Sequence, residues 1–145
     1  MTEGAGAASP APGDAKGLEE KFINAIYGQE SSSGKADTSK VNSQGVTGPM
    51  QIKDTTFDGM KKLGLIPQDA DFRNPNHTLR AGQIWASYLL KKFNNDPYKA
   101  AAAYYAGEGV VAQDGTVHDW GNKKRPQDPT SRQYADQILR RMGLG

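Results

Sequence analysis

Glu30 closes an apolar helical stripe, and its placement there points to chemistry. In "FINAIYGQESSSG", Ile23, Ile26, Tyr27 and Glu30 follow a 3, 4, 7 spacing and so share one helical face. A carboxyl on a buried face loses hydration when ionised, which raises its pKa. The carbonyl dipoles at a helix C-terminus push the same way. The outcome is a carboxylic acid still partly protonated near neutral pH, the state a general acid requires. The competing reading is a rim glutamate with its carboxylate in water, and helix periodicity alone favours it.

Four further acids stand where a second catalytic carboxylate could be sought: Asp37, Asp54, Asp58 and Glu108. Asp37 reads as a solvated turn residue in a polar loop. Asp54 reads as a helix cap, and Asp58 as a solvated first-turn acid. Glu108 follows Ala106-Gly107 and could reach a cleft, although a solvated acid is the simpler reading. There is no cysteine, so thiolate metal sites and disulfides are excluded. His77 and His118 lie far apart and make no metal-ligand motif. Neither a metal nor a cofactor is expected.

The elements that must position these residues are mainly helices. At 145 residues the chain is long enough for one domain with a real core. "MTEGAGAASPAPGDAKG" has almost nothing to bury, so residues 1–17 are expected to form a disordered linker and residues 18–145 the folded domain. The first helix is expected over Leu18 to Glu30. "DTTFDGMKKLG" predicts a second, capped by Asp54 or Thr55 and stopped at Gly64. "NHTLRAGQIWASYLLKKF" is the longest, with Leu79, Gly82, Ala86, Leu89, Leu90 and Phe93 on one face. Trp85, Tyr88 and Phe93 are assigned to the core.

"DPYKAAAAYYAG" starts with Asp96 as N-cap and Pro97 at the first helical position, and stops at Gly107. Asp114-Gly115 between Val-rich arms predicts a small β-hairpin. The last helix begins near Thr130 or Ser131 and aligns Tyr134, Ile138 and Met142. Trp120 falls in a polar loop with Lys123, Lys124 and Arg125, which reads as a solvated basic loop.

Charge and hydropathy narrow the partners. Eighteen Lys and Arg against 16 Asp and Glu give a net charge of +2, too small to indicate nucleic acid. No apolar run approaches the roughly 20 residues of a membrane span. The N-terminus lacks the charged start and apolar core of a signal peptide. If the protein works outside the cytoplasm, delivery by another route or membership of a longer protein is therefore expected.

Four ordered segments carry a family resemblance. "GVTGPMQI" resembles the Gly-x-Met-Gln-Ile signature of the lysozyme-like soluble lytic transglycosylases, with Glu30-Ser31 in the place of that family's helix-ending Glu-Ser pair. "TLRAGQIWASYLLKKF" resembles the family's Ala-Gly helix. "AYYAGEG" resembles its Ala-Tyr-Asn-Ala-Gly motif, and "SRQYADQIL" its closing tyrosine motif. Each segment alone is weak, but the ordered set is specific and reverses the reading of Glu30. The resemblance implies a mainly α, goose-type-lysozyme-like core with a small β-hairpin, working as a monomeric domain on peptidoglycan glycan strands.

What it implies chemically is a lytic transglycosylase. Glu30 would protonate the oxygen between N-acetylmuramic acid and N-acetylglucosamine. The same carboxylate would then take the proton of the muramic 6-hydroxyl as that group closes a 1,6-anhydro ring. The resemblance implies Ser43, Met50, Gln51, Tyr104, Tyr105 and Tyr134 on the substrate side, with the Tyr134 hydroxyl beside the acid. The chain departs from the family where Tyr105 replaces the motif asparagine, Pro49 replaces leucine and Lys53-Asp54 replace Met-Pro. A phage virion cell-wall enzyme fits such divergence. A muramidase of the same fold, or a non-catalytic wall-binding or virion module, is the alternative. Phage-type lysozymes place an aspartate nine residues after their glutamate; here that position is Ser39.

Overall fold

Five α-helices carry the described chain: α1 (Pro12–Glu30), α2 (Asp54–Lys62), α3 (Pro75–Lys92), α4 (Pro97–Ala106) and α5 (Ser131–Arg141). The computed structural model describes residues 12–31, 46–47 and 50–144. Within them β1 (Val46–Thr47) pairs antiparallel with β2 (Ile52–Lys53), Val46 opposite Lys53 and Thr47 opposite Ile52. A single 3-10 turn covers Glu108–Val110. The fold is mainly helical, as the sequence implies.

Helix ends follow local chemistry. Asp96 caps α4 by accepting the N–H groups of Tyr98 at 3.0 Å and Lys99 at 3.2 Å, with Pro97 following it. Gly107 stops that helix at φ 94°, in a region that suits glycine. Thr130 and Gln133 form a capping box at the start of α5. For α2, however, the capping position is Lys53, without a side-chain cap. Asp54 is already helical and accepts the Thr55 N–H at 2.7 Å.

The chain divides into two compact units. One holds Met1–Ala25 and Ala86–Gly145, the other Ile26–Trp85. In the first, α4 packs along α5. Ala100, Ala101, Ala102 and Ala103 are all buried, and such small side chains let helices approach closely. Tyr134, Ile138 and Met142 are buried together on α5, as their spacing predicts. In the second, Ile52, Phe57, Met60, Ile66 and Ala81 form the core. Phe72 meets Phe57 edge-on at 5.3 Å, and Trp85 and Ile84 pack against the same cluster.

Three expectations need correction. Helix α1 begins at Pro12, before Leu18, so residues 12–17 are helical, not linker; residues 1–11 lie outside the described range. The buried face of α1 is Phe22, Ala25 and Ile26, whereas Tyr27 is 40% exposed. The turn at Asp114-Gly115 forms, with the Ala112 N–H on the Thr116 carbonyl at 2.8 Å, but its arms meet in only one antiparallel bridge, Val111 to Val117. Both valines are only half-buried, so little apolar burial extends the pairing.

Candidate active site

Glu30 is the last residue of α1 and is half-buried. The next residue, Ser31, is tightly fixed. Its side chain is buried, its N–H donates to the Tyr27 carbonyl at 2.9 Å and its hydroxyl donates to the same oxygen at 2.6 Å. A helix end leaves carbonyls without intrahelical partners, and Ser31 satisfies one of them twice. The backbone that carries the acid is therefore held in place.

The Met50-Gln51-Ile52 segment is built on a tight approach. Met50 is 1% exposed, and Gly82 of α3 leaves it room: a Cβ added at Gly82 would lie 2.7 Å from the Met50 Cβ. Gln51 sits at φ 50°, a left-handed conformation unusual outside glycine. It is clamped between buried Met50 and buried Ile52 of β2. A side-chain-bearing residue kept in that region costs of order 1 kcal/mol, and such strain concentrates at functional sites.

The tyrosines belong to the unit containing α4 and α5. Tyr104 and Tyr105 are half-buried near the end of α4, while Tyr134 on α5 is 1% exposed. Tyr105 and Tyr134 stack at 4.5 Å, and the Tyr105 hydroxyl donates to the Pro129 carbonyl at 2.6 Å. Trp120 meets the Tyr105 ring edge-on at 6.2 Å. Tyr105, standing at the motif asparagine, thus serves as a packing and bracing residue. The sequence carries no local sign of these contacts, because each partner lies on a distant segment.

The candidate second acids are engaged or solvated. Glu108 accepts from Lys92 at 2.5 Å, and this bond is the main reason the lysine's pKa is raised. Asp54 binds the adjacent backbone, and Asp58 is exposed on α2. Ser43 and Asp37 lie outside the described residues. Among the described residues there is no group of three or more His, Cys, Asp or Glu suited to a metal ion, and no helix is long and apolar enough to cross a membrane.

A family model described as the transglycosylase SLT domain matches residues 8–126. That span takes in Glu30, the Met50-Gln51-Ile52 segment, the Ala-Gly helix and the tyrosines of α4; α5 lies beyond it. Searches against curated proteins and against solved structures gave no match.

Proposed function

The chain belongs to the transglycosylase SLT domain family, and from that premise we propose that it is a peptidoglycan lytic transglycosylase in which Glu30 is the single acid and base. The observation that carries the reading is the helix-ending Glu30-Ser31 pair, its backbone fixed by the doubly bonded Tyr27 carbonyl, within a chain that matches this family. Protonated Glu30 gives its proton to the glycosidic oxygen as the bond from the muramic anomeric carbon breaks. Positive charge develops on that carbon and its ring oxygen. Glu30, now a carboxylate, takes the proton of the muramic 6-hydroxyl while the hydroxyl oxygen bonds to the anomeric carbon. Glu30 is protonated again and no water is consumed.

The other residues divide by what they offer. Gln51, half-buried and strained, presents an amide suited to sugar hydroxyls and acetamido groups. Ser43 and Tyr104 belong to the substrate side. Met50, expected on the substrate side, is instead buried against Gly82 of α3 and offers a sugar no surface. The family resemblance gives Tyr134, stacked on the Tyr105 ring, the role of orienting the acid through its hydroxyl. Among the described candidates for a second acid, Asp54 binds the adjacent backbone, Asp58 is exposed on α2 and the Glu108 side chain is held by Lys92. This supports the single-glutamate lyase over a two-carboxylate hydrolase.

Mass analysis of digested peptidoglycan tests the reading. The expected products carry 1,6-anhydro ends, and Glu30→Gln is expected to lower activity by about 100-fold or more, the scale of a lost general acid. Reducing ends would reassign the chain as a muramidase, and unchanged peptidoglycan would make it a wall-binding module.

A further inference from the structure

Trp120 leaves 46% of its surface in water, yet its position is fixed. Its backbone N–H donates to the Ser131 hydroxyl at 2.9 Å, and its backbone carbonyl accepts the Ser131 N–H at 2.8 Å. Ser131 itself is wholly buried, and its hydroxyl donates onward to the His118 carbonyl. The indole rests edge-on against Tyr105, which is locked by the Pro129 carbonyl and stacked on buried Tyr134. Three rings thus form a ladder from the core of this unit to its surface, with the indole as the outer rung.

A pre-ordered exposed indole loses little further freedom when something stacks on it, which lowers the cost of binding. The chemistry of the loop narrows the ligand. Asp119 and Asp128 stand among Lys123, Lys124 and Arg125, and Arg125 is spent on Asp128 at 2.8 Å. Such mixed charge does not select a polyanion. It suits an uncharged ring with an apolar face, and the C–H face of a pyranose is one. We propose that Trp120 is a sugar-stacking residue that takes a pyranose ring of the peptidoglycan strand against its indole. The assignment rests on the reading of the chain as a peptidoglycan enzyme. It adds a specificity-determining contact outside the motif residues.

The test is co-sedimentation with insoluble peptidoglycan in a Glu30→Gln background, where no turnover confuses binding. Trp120→Ala is expected to weaken binding about tenfold, the effect of truncating an aromatic anchor, and Trp120→Phe to restore most of it. Iodide quenching of tryptophan fluorescence in Trp85→Phe, which leaves Trp120 as the sole indole, supplies a second readout. N-acetylglucosamine oligomers are expected to protect the exposed indole. Unchanged sedimentation of Trp120→Ala, or quenching unaffected by the oligomers, overturns the proposal. So does binding that falls with added salt but ignores Trp120. Should Glu30→Gln keep full lytic activity, the acid assignment fails by itself, while quenching in the presence of the oligomers still reports on Trp120.

Discussion

The ring of Tyr105 lies nearly parallel to that of Tyr134, 13° apart at 4.5 Å, and its hydroxyl is tied to the Pro129 carbonyl. The relationship joins the end of α4 to α5 at the position where the family resemblance places a motif asparagine. An asparagine can neither stack on Tyr134 nor reach as far as a phenol. Tyr105 is part of the frame around Tyr134.

We expect Tyr105→Asn to destabilise the protein by about 1–3 kcal/mol, from the lost ring pair and the lost hydrogen bond together. Tyr105→Phe keeps the stack and is expected to cost about 1 kcal/mol. Urea unfolding measures both. An asparagine variant as stable as wild type would show that the stack contributes nothing.

Gly82 and Met50 make the second case. An alanine methyl at Gly82 would meet the Met50 Cβ at 2.7 Å, and both atoms are close to backbone, so neither can swing away. Overpacking of this kind costs about 1–3 kcal/mol, against a gain of up to about 1 kcal/mol in helix propensity. Gly82→Ala is therefore expected to lower stability. Combined with Met50→Gly, which removes the opposing Cβ, it should cost less than the sum of the two single changes. Strict additivity in the double-mutant cycle would remove the clash as the cause.

Lys92 gives a pH dependence with a definite sign. Its hydrogen bond to Glu108 raises its pKa above the usual lysine value. The folded state thus holds this proton more tightly than the unfolded chain does. The pair's contribution is complete below the ordinary lysine pKa of about 10.4 and is lost as pH rises through the higher folded value. Both side chains are partly exposed, so the contribution is only about 0.2–1 kcal/mol. Unfolding at about pH 9 and about pH 12 should show wild type losing more stability than Lys92→Met over that interval. Equal losses would disprove the coupling.

The ends of α4 and the start of α5 were legible, because a cap or stop there is decided by a few adjacent residues, whereas α1 starts at Pro12 and α2 follows Lys53 without a side-chain cap. Asp96-Pro97, Gly107 and Thr130 each act where the sequence places them. The face of α1 was not legible in the same way. Phe22 and Ala25 compete with Ile23 and Tyr27 for the inside, and tertiary packing chooses the first pair. Similarly, the Asp114-Gly115 turn forms locally, but strand pairing needs a surface to lie on, and its arms stop at one bridge. At the candidate site, Glu30 could be picked out by position and resemblance. The bracing by Ser31, Tyr105 and Ser131 depends on partners that no local pattern reveals.

Acid counting separates lyase from hydrolase. An inverting hydrolase needs a general base for water and a retaining one usually a nucleophile, so each generally pairs its acid with a second carboxylate. In the described chain Asp54 is spent on the Thr55 N–H, Asp58 is exposed on α2 and Glu108 is held by Lys92. Asp54→Asn, Asp58→Asn, Glu108→Gln and Asp37→Asn are each expected to keep more than roughly a tenth of wild-type activity, above the remnant left when an acid–base group is lost. Tyr134→Phe should cost more than any of them, because it removes the hydroxyl proposed to orient Glu30. Its loss should still be partial, since the ring keeps its stack on Tyr105. Turnover on purified peptidoglycan, with thermal melts to confirm folding, ranks the five variants. One acid substitution that abolishes activity in a folded protein, together with reducing-end products, would replace the single-glutamate route with hydrolysis.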